Sequence, residues 1–159
     1  MAHIHELYDF TTSAFVIHPK EPKILLLLHK KLGKWLQPGG HVELNENPLQ
    51  TLHHEMLEET GLNPTDYVII EPSESPRPKG NNRPLPLPFY FNEHNFNETH
   101  KHIDICYLAK ASITKLTTEP DGASDIGWFT IAQINKHYAA GKMFVDTKNI
   151  CKWIAARYF

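Results

Sequence analysis

The stretch "ENPLQTLHHEMLEETG", Glu46 to Gly61, decides how the rest of the chain reads. Asn47 is a good helix N-cap, because its side-chain oxygen can accept from backbone N–H groups that the first turn leaves free. Pro48 suits the first helical position, where a missing N–H costs nothing. Gly61 suits the left-handed residue that ends a helix, and Pro64 follows soon after. Leu49, Leu52 and Met56 recur at helical spacing and form an apolar stripe. At about 100° per residue, Glu55, Glu58 and Glu59 share one face of this helix. Like charges at these spacings destabilise a helix by a few tenths of a kcal/mol per pair. Glu58 and Glu59 also fall in the last turn, at the negative end of the helix dipole, where cations are preferred. Such a locally unfavourable placement points to an outside cation that offsets it. Donors that are all oxygen suit a hard divalent ion, Mg²⁺ or Mn²⁺, of the kind that also grips substrate phosphates. A solvated acidic helix end is the plainer alternative.

Outward from this helix the pattern is mixed. Thr12 to Ile17 reads as a strand, and "KILLLLH", Lys23 to His29, as a second one, apolar on both faces and so central in a sheet. "HPKEPK" connects them as a hairpin. A loop with Gly33, Pro38, Gly39 and Gly40 leads to a short extended piece before the helix. "DYVIIEP" follows as a strand, and residues 72–88, rich in proline, glycine and asparagine, read as a long irregular loop. "FYFNEHN" and "HKHIDICYLAKA" read as paired strands, and "SDIGWFT" as a last short one. Ile131 to Tyr138 and Thr147 to Phe159 read as helices, the second with Ile150, Ile154 and Tyr158 on one side. The expected architecture is α/β, a mixed sheet with helices on its faces.

A chain of 159 residues fits one domain spanning 1–159. With 41% apolar and 21% charged residues it reads as globular rather than disordered. A net charge of −2 gives no bulk electrostatic case for a nucleic-acid polymer or an anionic membrane as partner. The longest aliphatic run, Ile24 to Leu28, is far too short to span a membrane. Cys106 and Cys151 stand far apart and in no paired spacing, which excludes a disulfide framework and a cysteine zinc site. "MAHIHELYDF" lacks a basic region followed by an apolar stretch, so no signal peptide and a reducing, cytoplasmic location are expected. Whether the chain is a monomer or a homodimer is open.

From Gly40 to Leu62 the chain resembles the signature of the Nudix hydrolases. Gly40, Glu46, Glu55, Met56, Leu57, Glu58, Glu59, Gly61 and Leu62 fall at the family's spacings, and the one fixed position that departs is His54, where the family has arginine. "GKWLQPGGHVE" before this box and "SDIGWFTIAQI" near the end are also similar to the family. The resemblance implies an α/β/α sandwich that hydrolyses a nucleoside diphosphate derivative or nucleotide with Mg²⁺ or Mn²⁺. It implies Glu55, Glu58 and Glu59 as metal ligands and catalytic carboxylates, with the Gly40 carbonyl as a further ligand, and Glu46 as a structural carboxylate of the box. Glu58 or Glu59 could accept the final proton, but some members use a carboxylate from a late loop, and Glu119, Asp121 and Asp125 are the candidates here. A non-nucleotide diphosphate is an alternative substrate, and a binding module that senses a nucleotide without cleaving it is an alternative function.

Histidine cannot copy the arginine fork, since it has at most two N–H donors, a shorter reach and a conditional charge. His54 is either a pH-dependent substitute or the mark of an impaired box, and the intact glutamates favour an enzyme. "HKHID" sets His100, His102 and Asp104 on one strand face and Ile103, Ile105 and Tyr107 on the other. That polar face is a pocket wall, a plain solvated face or, less readily, a second metal site, for which no further spaced ligand is evident. His41 is pocket-lining or exposed. Trp35, Phe89, Tyr90 and Phe91 either stack a base or fill the core, while Trp128 and Trp153 are read as packing. The 72–88 loop is the expected specificity element, in which Arg77, Lys79 and Arg83 either meet phosphates or are simply a charged, solvated surface.

Overall fold

The structure is a computed structural model, which describes residues 7–77, 80–119 and 123–159. Lys79 and Asp121 therefore lie outside the described residues. The elements in chain order are β1 (Tyr8–Ile17), β2 (Ile24–His29), β3 (Lys34–Leu36), β4 (Gly39–His41), α1 (Pro48–Thr60), β5 (Tyr67–Ile69), β6 (Tyr90–Asn95), β7 (Lys101–Ala111), β8 (Ile126–Phe129), α2 (Ile131–Ala139) and α3 (Val145–Tyr158).

The eight strands form one mixed sheet in the order β3-β2-β1-β7-β5, with β4 on β1, β6 on β7 and β8 on β2. Its spine is the parallel pairing of β1 with β7, which runs from Tyr8 opposite Lys101 to Ile17 opposite Lys110. The other pairings are antiparallel. Because β7 occupies one edge of β1, the other edge is divided: Ile17 meets β2, and Thr11 to Ser13 meet β4. This pairing carries β1 back to Tyr8, four residues before the Thr12 start expected from local pattern.

Alternating side chains give the sheet two apolar faces. On one, Phe15, Ile24, Leu26 and Leu108 pack with Ile134 of α2 and with Cys151 and Ile154 of α3. On the other, Ala14, Val16, Leu25 and Tyr107 pack with Leu52 and Met56 of α1. Each such fully buried side chain is worth about 1.5–3 kcal/mol relative to exposure. The result is an α/β/α sandwich. Trp35 belongs to the first core layer, its ring 4.7 Å from that of Phe129, so it is not a free stacking surface. Trp153 packs on Phe89 at 5.8 Å. In α3 the buried stripe is Thr147, Cys151 and Ile154, not Ile150, Ile154 and Tyr158. Tyr158 is 41% exposed, on the last turn of the helix.

The ends of α1 match the sequence expectation in atomic detail. Asn47 Oδ1 accepts from the N–H groups of Leu49 and Gln50, both at 3.0 Å, while Gln50 Oε1 accepts from Asn47 N–H at 3.0 Å. This capping box satisfies donors that the first turn cannot. Gly61 has φ +73° and donates to the Leu57 carbonyl at 2.9 Å, and a Cβ there would meet Thr117 Oγ1 at 2.0 Å. We expect Asn47→Ala to lower the unfolding free energy by about 1 kcal/mol in a chemical denaturation experiment. An unchanged midpoint would show that the cap contributes nothing.

Candidate active site

Two glycines bring a strand backbone against the acidic end of α1. Gly40 lies opposite Thr12 on β1, so its α-carbon faces the α1 side of the sheet. A Cβ on Gly40 would stand 2.1 Å from Glu55 Oε1, and one on Gly39 would stand 2.3 Å from the Thr12 carbonyl oxygen. Gly39 N–H donates to Glu59 Oε2 at 2.9 Å. Glu55 and Glu59, one helical turn apart, are thus held under β4, while Glu58 beside them is exposed.

These carboxylates repel one another in a poorly solvated place. Glu55 is pushed up to about 7, first by burial and then by the charges of Glu58, Glu43 and Glu46. Glu59 is also pushed up to about 7, mainly by burial, with the Gly39 N–H opposing and Glu55 and Glu58 adding to the rise. The last turn of α1 holds no basic residue. A crowded, all-oxygen set of this kind fits a hard divalent cation.

The departure at His54 has a visible compensation. His54 Nδ1 lies 2.6 Å from Glu46 Oε1, and the Thr51 hydroxyl donates to Glu46 Oε2 at 2.8 Å. One imidazole and one hydroxyl thereby hold the two oxygens that a guanidinium fork would grip alone. Sequence reading missed Thr51. It is buried in the first turn of α1 next to Leu52.

Glu59, Gly39 and Gly40 also border a groove of about 620 Å³ on the α2/α3 side of the sheet. Its floor is the polar end of the β1/β7 pairing. Asp104 accepts from the hydroxyls of Thr11 at 2.9 Å and Ser13 at 2.7 Å, and burial pushes its carboxyl above the ordinary value. Its wall is formed by His41 and His102, whose Nε2 atoms are 3.2 Å apart, with Tyr90, Asn92 and Phe96 from the β6 side. Burial, then the neighbouring imidazoles, lowers His102 to about 4, and burial lowers His41 as well. His100 is buried beside them. The polar face of "HKHID" is therefore a groove wall. Asp9, Thr11 and Ser13 were missed because their place depends on β1 lying parallel to a strand more than ninety residues away.

The loop residues lie elsewhere. Arg77 forms a two-point ion pair with Glu71 at 3.0 and 2.8 Å, and Arg83 is exposed. Neither borders the groove, nor does any described residue of 72–88; Glu71, Ser73, Glu74, Ser75 and Arg77 border a separate, open depression. Glu119 is exposed and its N–H donates to the Glu58 carbonyl at 3.1 Å, which docks it against the acidic helix end. Asp125 instead accepts the Ile126 N–H at 2.8 Å.

The NUDIX domain family model matches residues 8–151. The chain belongs to the NUDIX family. Among curated relatives, the probable DHNTP pyrophosphohydrolase of Lactococcus lactis subsp. cremoris is 34% identical over 106 residues, 63% of this chain and 54% of that protein. The chain spans about half the length of the curated relatives it matches. A NUDIX-family hydrolase from Clostridium perfringens superposes with a TM-score of 0.74 at 24% identity, covering 93% of this chain and 96% of that one. The NUDIX domain of Shewanella oneidensis NrtR, solved with ADP ribose, superposes with a TM-score of 0.69 at 17% identity, covering 97% and 90%. These likenesses extend the shared fold over nearly the whole NUDIX chain. No helix of the described residues is long and apolar enough to cross a membrane.

The raised carboxylates contribute to the pH dependence of this NUDIX fold. Unfolded glutamates lose their protons near 4.5, whereas folded Glu55 and Glu59 hold theirs to about 7. The stability they contribute is present at low pH and lost as pH rises through about 7. In the absence of divalent cations, Glu59→Gln should therefore melt higher than wild type, by an increment that grows between about pH 5 and about pH 8. A constant increment would show that the Glu59 charge is not strained.

Proposed function

We propose that the protein hydrolyses a diphosphate bond in a nucleotide or nucleoside diphosphate derivative with the help of Mg²⁺ or Mn²⁺. The observation that carries this reading is the pair of half-buried carboxylates, Glu55 and Glu59, packed against β4 and both raised to about 7, with Glu59 bordering a groove large enough for such a substrate. Glu55, Glu58 and Glu59 would hold the cation, with the Gly40 carbonyl as a further ligand. When bound, the cation screens the anionic diphosphate oxygens and lowers the pKa of an attacking water.

The chain's own residues do the rest. Gly39 N–H fixes the orientation of Glu59. The His54 and Thr51 contacts hold Glu46 against the start of the same helix, which keeps α1 in register with β4. Of the late-loop carboxylates, Glu119 is the best placed to take the proton from water, because its backbone is tied to Glu58. His41, His102 and Asp104 would line the substrate and fix its pose, which is the larger part of positioning catalysis. The ADP ribose held by the Shewanella protein supports a nucleotide-like ligand, and the pyrophosphohydrolase named in Lactococcus supports cleavage of a diphosphate bond. Two buried, unpaired cysteines, Cys106 and Cys151, suit a reducing compartment such as the cytoplasm.

The test is a phosphate-release assay over nucleoside triphosphates, ADP-ribose, nucleotide sugars and dinucleoside polyphosphates, with and without Mg²⁺. Turnover should need the cation, and Glu59→Gln should lower it by at least about 100-fold. Tight binding of a ligand with no turnover of any would replace the enzyme with a sensor. His54→Arg should keep or raise turnover, most clearly at alkaline pH, because arginine stays charged where histidine does not. An inactive arginine variant would contradict the role given to His54.

A further inference from the structure

We propose that His41, His100 and His102, with Asp9 beside them, form a second cation site in the groove wall, selective for a borderline divalent ion of the zinc, cobalt or nickel kind. It is separate from the glutamate site and does not depend on the hydrolytic reading.

The site is assembled by strand register. His41 pairs with Thr11 across β4 and β1, and His102 pairs with Asp9 across β7 and β1. All of these project on the groove side of the sheet, and His100 joins them at the start of β7. The donor atoms of the three histidines lie within 4.8 Å of one another. His41 Nε2 is 3.2 Å from His102 Nε2 and 3.7 Å from Asp9 Oδ2. In a tetrahedral site with Zn–N bonds of about 2.0–2.1 Å, neighbouring donors sit about 3.3 Å apart. The His41–His102 separation is already close to that value.

The rings are aimed to converge, not to stack. His41 meets His102 at 86°, and His100 meets it at 87°. Phe96 stacks on His102 at 5.0 Å and 29°, which fixes the plane of that ring. His100, His102 and Asp9 are all more than nine-tenths buried. Regular strands hold His41, His102 and Asp9, so little conformational freedom remains to be lost on binding. Imidazole nitrogens with one carboxylate are a poor match for Mg²⁺ and a good one for zinc-like ions. The groove would then offer two unlike cation sites, one of oxygen at Glu59 and one of nitrogen at His102. His41 and His102 border the groove, so an open coordination position would face whatever occupies it.

Cobalt titration of the protein, prepared without a histidine tag and in excess Mg²⁺, tests this directly. A single equivalent of Co²⁺ should develop visible absorbance, survive Glu59→Gln and vanish in the His41→Gln/His102→Gln double variant. Zn²⁺ added to the wild-type protein should shift the ring-nitrogen NMR signals of these histidines, a readout that needs no variant to fold. Absence of both the cobalt absorbance and the zinc shifts in the wild-type protein would overturn the proposal. So would full cobalt absorbance in the double variant, or its loss in Glu59→Gln. In those cases the close histidine pair is a hydrogen bond between neutral rings.

Discussion

The contact of Glu55 and Glu59 with Gly40 and Gly39 is what the rest of this fold accommodates. Any side chain at Gly40 would collide with Glu55, and any at Gly39 with the β1 backbone. With glycine at both, α1 can pack so closely that its acidic end loses solvent and both carboxylates rise to about 7. The helix is built to carry that cost. Its first turn is fully capped, its last turn ends on the left-handed Gly61, and Leu52 and Met56 anchor it to the sheet. The strain sits where the helix dipole is also unfavourable, which makes a bound cation the natural relief.

His54 shows how a family motif tolerates a substitution. The two oxygens of Glu46 still have partners, but they come from two residues instead of one, and one of them is a titratable ring. Both oxygens of the box carboxylate are thus still held. A guanidinium would give the same grip at any physiological pH.

Much of this was legible in the sequence because it is local. The limits of α1, the clustering of its glutamates and the paired strands around it all follow from spacing and capping chemistry within a few residues. The places of Glu46 and His54 in the box were also read from the signature. The groove was less legible because it is built by register. Asp9, Thr11 and Ser13 alternate along β1, but their role emerges only when β7 lies parallel to it and sets Asp104 and His102 opposite. The same distance in sequence hid the meeting of His41 with His102. The 72–88 loop is distinctive in composition, yet Arg77 pairs with Glu71 and the groove is lined by strands and the start of α3.

The central claim is that these glutamates form a cation site whose ligands oppose one another until it is filled. The most direct measurement is the Mg²⁺-induced shift in melting temperature as a function of pH. Cation binding needs deprotonated ligands and stabilises only the folded state. The shift should therefore grow as pH rises through about 7 and disappear in Glu55→Gln/Glu59→Gln. No shift in the wild-type protein, or an equal shift in the double variant, would contradict the account.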